Sequence, residues 1–84
     1  MIRILYFASL RDRLNTDREE LQLPGDVTDI ASLRRLLKSR GGEWLTVFAD
    51  EETVLVAVNQ EMASEQTLIS DGDEIGFFPP VTGG

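Results

Sequence analysis

Gly83 and Gly84 end the sequence behind Phe77-Phe78-Pro79-Pro80-Val81-Thr82, and they carry the group best suited to covalent chemistry. Two glycines make a thin tip that no side chain obstructs, able to enter a slot too narrow for a Cβ. Pro79 and Pro80 fix φ and push the residue before each toward extended backbone. A frayed end with a chance diglycine is the bland alternative, since chain ends are often disordered. The aromatic-proline run argues against it. The arrangement suits a carboxylate that another protein must reach and modify.

The rest of the chain offers little competing chemistry. It has no cysteine and no histidine, which removes thiolate nucleophiles, disulfide exchange, Cys/His zinc sites and a Ser–His–Asp triad. With 15 Asp+Glu against 8 Lys+Arg, the net charge of −7 argues against nucleic acid, whose binding rests on cationic neutralisation of phosphates. A basic partner surface is the natural electrostatic counterpart, although excess acid also simply favours solubility. Asp50-Glu51-Glu52 and Asp71-Gly72-Asp73-Glu74 lack the spacing of a calcium loop, so they read as solvated turns and no metal site is expected. No apolar run is long enough for a membrane span, and the start reads as a strand, so a cytoplasmic protein is expected.

Elements must position that tip, and 84 residues suffice for one small domain. A composition 42% hydrophobic and 27% charged indicates a folded core. Residues 2–7 alternate, with Ile2, Ile4 and Tyr6 on one face and Arg3, Leu5 and Phe7 on the other. Residues 8–17 read as a polar connection with room for a helical turn. Residues 19–23 read as a second strand with Leu21 and Leu23 inward, pairing with the first as an antiparallel hairpin. Asp29 is a helix N-cap candidate, and Ile30, Leu33, Leu36 and Leu37 form an apolar stripe running toward Arg40. Gly41-Gly42 stops that helix.

Residues 44–48 read as a short helix or irregular segment anchored by Trp44. Residues 53–58, rich in β-branched types, read as a central strand. A loop follows, with a short bridge at 66–69, a turn at 70–73 and a last strand at 74–78. In that strand Ile75 and Phe77 face the core and Phe78 faces out. Arg34 and Arg35 read as solvated. The order predicts an α+β fold: a mixed sheet with one main helix across one face, and the first and last long strands adjacent at its centre. The domain is placed at 1–78 and an extended tail at 79–84, with a reach of roughly 20 Å at about 3.3 Å per residue.

Val58-Asn59-Gln60, Asp71-Gly72-Asp73-Glu74 and above all Phe77-Phe78-Pro79-Pro80-Val81-Thr82-Gly83-Gly84 resemble the small-subunit family of molybdopterin synthase, the MoaD family. The likeness covers the whole chain in length and element order, and the C-terminal segment carries most of its specificity. It implies a ubiquitin-like β-grasp sulfur carrier. It further implies that an E1-like adenylyltransferase activates Gly84 with ATP and that a sulfur donor converts it to a thiocarboxylate. Gly83 would belong to the narrow tip. The large subunit would receive the tail and supply the cationic groups for cyclic pyranopterin monophosphate, in a heterotetramer. No cofactor is implied to be stably bound to the carrier itself.

Leu5, Phe7 and Phe78 are the expected docking patch, unless the Trp44 segment covers them as core. Pro79, Pro80, Val81 and Thr82 would line the route into the partner. Two other readings compete: a β-grasp carrier for thiamine, tRNA thiolation, cysteine or tungsten-cofactor assembly, and a non-catalytic ubiquitin-like module or lysine modifier.

Overall fold

The computed structural model describes residues 1–80; the expected site residues Val81, Thr82, Gly83 and Gly84 lie outside the described residues. Eight elements follow one another: β1 (Ile2–Tyr6), α1 (Ala8–Leu14), β2 (Arg18–Leu21), α2 (Ile30–Lys38), α3 (Glu43–Val47), β3 (Leu55–Val58), β4 (Glu61–Met62) and β5 (Glu74–Phe78). The strands form one sheet in the order β2-β1-β5-β3-β4. The β1–β5 pair is parallel and the other pairs are antiparallel.

The inward alternation holds on both long strands. Ile2, Ile4, Tyr6, Ile75 and Phe77 are buried and join residues from all three helices in one core. The main helix also forms where its cap predicts. The Asp29 carboxylate accepts from the Ser32 backbone N–H (2.8 Å), and the Ser32 hydroxyl accepts from the Asp29 N–H (3.1 Å), a reciprocal capping box. Ile30, Leu33 and Leu37 are buried, and the glycine pair with positive φ follows the helix.

The first and last long strands lie side by side at the centre as expected, and β3 is an interior strand beside them; four other expectations need correction. The parallel β1–β5 pairing takes the middle, and β3 is flanked outside by the two-residue β4. That β4 strand was expected to be loop. It returns from β3 through Asn59 and Gln60, whose φ values of 51° and 70° suit a type I′ hairpin turn.

The β1–β2 connection, expected to be polar with room for a helical turn, is the seven-residue helix α1, and it is not polar throughout: it places Leu10 and Leu14 in the core. β2 spans Arg18–Leu21 where 19–23 is expected, so Leu23 lies beyond the strand, and Glu19, on the same face as Leu21, is half-buried. Finally, Arg34 is not solvated: it is 16% exposed and holds the turn after α3.

Glu19 is tolerated inward because it is fully engaged. Its carboxylate accepts from the Tyr6 hydroxyl (2.8 Å) and from both Arg40 Nη atoms (2.8 and 2.7 Å). The Arg40 guanidinium also lies over the Trp44 ring, 4.4 Å from its centre. Arg40 lowers the Glu19 pKa below its ordinary 4.5, against the opposing effect of burial. Burial, then the hydrogen bond to Glu19, raises the Tyr6 phenol above its ordinary 10.0.

The lowered carboxyl contributes stability present above pH 4.5 and lost as pH falls through its folded value. The raised phenol contributes stability present below pH 10 and lost as pH rises beyond it. Urea denaturation across pH should therefore give a plateau falling on both sides, with a shallower acid limb in Glu19→Gln. An unchanged acid limb in that variant would contradict the assignment.

Candidate functional site

The acidic run at 71–74 is a turn fastener, while Asp50, Glu51 and Glu52 are exposed. Asp73 accepts from the Ser70 N–H (2.9 Å) and the Asn59 side-chain amide (3.0 Å), while the Asn59 carbonyl oxygen accepts from the Glu74 N–H (3.0 Å). Asp71 pairs with the amino terminus of Met1. Val58-Asn59-Gln60 and Asp71-Gly72-Asp73-Glu74 thus meet in space, where Asn59 locks the β3–β4 turn to the start of β5. No group of His, Cys, Asp and Glu suited to a metal ion occurs among the described residues. These residues shape the base of the sheet, and the reactive end must be sought elsewhere.

It lies at the other end of β5. Phe77 is driven inward, its ring packed edge-on to Phe48 at 5.1 Å and stacked with Tyr6 at 6.2 Å. Tyr6 in turn meets the Trp44 ring edge-on at 5.4 Å. This aromatic cluster fixes the last turn of chain before the tail. Trp44 is therefore a packing anchor, and α3 covers the inner face of the sheet. It does not cover Leu5, Phe7 or Phe78.

Those three residues share the outer face, as alternation demands. Leu5 pairs with Gly76, and the Phe7 N–H donates to the Phe77 carbonyl (3.1 Å), which sets Phe7 across from Phe78. Phe7 is 46% exposed, whereas Leu5, Phe78 and Pro79 are half-buried and Pro80 is exposed. Sequence reasoning missed the neighbours on β3. Leu55 pairs with Phe78, and Ala57 pairs with both Gly76 and Met62, the last 64% exposed. A strand apolar at every position reads as buried on both faces, but its alternate members here extend an open apolar surface.

That surface is graded along the strands. At the start of β1, Arg3 pairs with Glu74 (3.6 Å) and lies opposite Glu20 in register. At the end from which the tail departs, the face carries Phe7, Phe78 and Leu55. Contiguous exposed apolar surface of this kind on a small domain marks an interaction site. The apolar patch and the departing tail are adjacent, so one partner can hold both.

A mixed sheet with parallel first and last strands at its centre, a capped helix across one face and a tail leaving the central strand defines a ubiquitin-like β-grasp domain. A family model described as the ThiS family matches residues 4–84. The chain belongs to the ThiS family. It is 38% identical over 84 residues to the molybdopterin synthase sulfur carrier subunit of Escherichia coli (strain K12), covering 100% of both chains. Among solved structures, a candidate molybdopterin converting factor subunit 1 from Pyrococcus furiosus superposes with a TM-score of 0.76 at 30% identity, covering 95% of this chain and 97% of the other. SAMP1 from Haloferax volcanii superposes with a TM-score of 0.77 at 26% identity, covering 99% and 98%. No helix among the described residues is long and apolar enough to cross a membrane.

Proposed function

We propose that this chain is the sulfur carrier subunit of a molybdopterin synthase. The observation that carries the reading is the junction of β5 with the tail. An apolar outer face ends where a proline-stiffened diglycine segment leaves the domain, and the full-length likeness to the E. coli carrier spans that junction. The Gly84 carboxylate is the reacting group. A carboxylate resists substitution until one oxygen becomes a good leaving group. Its attack on the α-phosphate of ATP in an E1-like adenylyltransferase releases pyrophosphate and leaves an acyl adenylate.

A sulfur donor then forms the C–S bond and displaces AMP, giving a thiocarboxylate. That soft anion passes its sulfur to cyclic pyranopterin monophosphate in the large subunit and returns as a carboxylate after taking oxygen from water. Two such transfers build the dithiolene. The acidic carrier repels an anionic pterin, so the partner provides the cations. Leu5, Phe7 and Phe78 dock on the large subunit, Pro79, Pro80, Val81 and Thr82 line the tail's path, and Gly83 passes the narrowest point. The reaction belongs to the cytoplasm, where ATP is supplied.

Intact-mass spectrometry after incubation with ATP, an E1-like enzyme and a sulfur source tests the reading. Exchange of one terminal oxygen for sulfur is expected; no exchange would overturn the carrier role. Transfer of that sulfur to the pterin precursor with the large subunit present separates this pathway from other carriers, and isopeptide adducts on lysines would instead indicate a modifier.

Docking has its own test. Phe78→Asp places a charge in the centre of the patch, so affinity for the large subunit should fall about 100-fold or more by calorimetry. The inward core does not include Phe78, and the cooperative melting transition should persist. Unchanged affinity would remove Phe78 from the interface.

A further inference from the structure

Gly76 occupies the middle of the central strand, where glycine is an unfavourable choice. It has no side chain to pack, and relative to alanine it costs roughly 0.5–1 kcal/mol in such a position. Its backbone does not require it: the glycines with positive φ among the described residues are Gly41, Gly42 and Gly72. What requires it is a ring. A Cβ built on Gly76 would stand 3.1 Å from Cε2 and 3.9 Å from Cδ2 of Phe7, with no other atom within 4 Å apart from its chain neighbours. Gly76 is buried although it faces outward, consistent with the Phe7 side chain lying over it. Phe7 thus does not stand away from the sheet but folds back onto β5, beside Leu5 and Phe78.

The geometry points to Gly76 as a positioning residue: it lets one edge of the Phe7 ring close onto β5 and so sets the shape of the surface that receives the large subunit. This rests on the docking assignment above. An outward side chain at position 76 pushes the ring away from β5, separates it from Phe78 and raises the surface that the partner meets. Because only Phe7 opposes a Cβ, the fold itself has room for the substitution. The sequence therefore trades strand propensity for the pose of one exposed aromatic.

Gly76→Ala and Gly76→Val test this with Phe7→Leu as the second side of a double-mutant cycle. Calorimetry with the large subunit should show affinity falling about threefold for alanine and about tenfold or more for valine. Melting temperatures should be unchanged or higher, since a strand glycine has been replaced. In the Phe7→Leu background the same substitutions should change affinity less than about twofold, because a residue acting through Phe7 has nothing left to displace. Equal losses in both backgrounds, or full affinity in Gly76→Val, would overturn the proposal.

The free chain gives a reading that needs no partner. The Gly76 Hα protons should show a ring-current shift in the NMR spectrum that vanishes in Phe7→Leu, and its absence from the unsubstituted chain would refute the seat itself. A chain with that shift which binds no large subunit would overturn the docking part and the partner assignment together. If the valine variant does not fold, the alanine variant and the NMR shift decide alone.

Discussion

Deletion of Gly84 is expected to abolish sulfur loading while leaving the melting curve and the docking affinity close to those of the full chain. The expectation follows from the separation of chemistry and fold. The buried core among the described residues runs from Ile2 to Phe77, so it gains nothing from the last residue. The patch of Leu5, Phe7 and Phe78 is formed by sheet register and is likewise untouched. The reacting carboxylate, however, moves back by one residue, about 3.3 Å. Productive attack needs the reacting atoms within about 3–3.5 Å and aligned, so a shift of this size removes nearly all of the rate.

A new carboxylate on Gly83 is chemically equivalent but stands in the wrong place. Intact-mass spectrometry after treatment with ATP, the activating enzyme and a sulfur source should show no oxygen-to-sulfur exchange in the deletion. Calorimetry should show binding to the large subunit within about threefold of the full chain, since no hot-spot side chain is removed. Persistent exchange would place the chemistry elsewhere. Loss of docking together with loading would mean that the tip, not the sheet face, holds the partner.

Much of this arrangement is legible in the sequence because local rules and the fold agree. Ile2, Ile4, Tyr6, Ile75 and Phe77 announce their face by alternation, and Asp29 announces the helix start by its cap chemistry. The docking patch follows as the complement of the inward set. What stays illegible depends on partners distant in sequence. β4 is two residues long, too short for a period of two to show, and only its pairing to Ala57 and Val58 makes it a strand.

Alternation with Leu21 and Leu23 puts Glu19 inward, but nothing near it in sequence says that Tyr6 and Arg40 satisfy its carboxylate there. The adjacency of β1 and β5 at the centre is legible from the handedness of the crossover, whereas their register is not, since it depends on both strands at once. Gly76 shows the same limit at the site: a strand glycine signals a close approach, but only the fold identifies the Phe7 ring as what approaches.

Arg34 is the sharpest case, and its removal should have the largest effect on stability of any charged residue. It flanks the apolar stripe of α2 and would pass for a solvated helix cation. Instead Nε donates to the Phe48 carbonyl (3.2 Å) and Nη2 to those of Ala49 (2.8 Å) and Glu52 (2.9 Å). These carbonyls end α3 and the loop behind it, so one guanidinium holds the segment that carries Trp44 and Phe48 onto the core. Its contact with Glu65 (3.0 Å) adds little, because that carboxylate is 56% exposed.

Arg34→Met keeps the stem and deletes the fork. Charge-assisted hydrogen bonds contribute about 1.5–3 kcal/mol each when lost, and water at the rim recovers part, so a net loss of about 2–4 kcal/mol is expected. For a chain of this size that is a fall in melting temperature of roughly 10–25 °C. Arg34→Lys should recover less than half, since a single ammonium cannot span carbonyls that the planar fork reaches together. Glu65→Gln should change stability by no more than about 0.5 kcal/mol. Calorimetric melting of the three variants checks the ranking, and a lysine variant as stable as the unsubstituted chain would show that charge alone, without the fork, holds the loop.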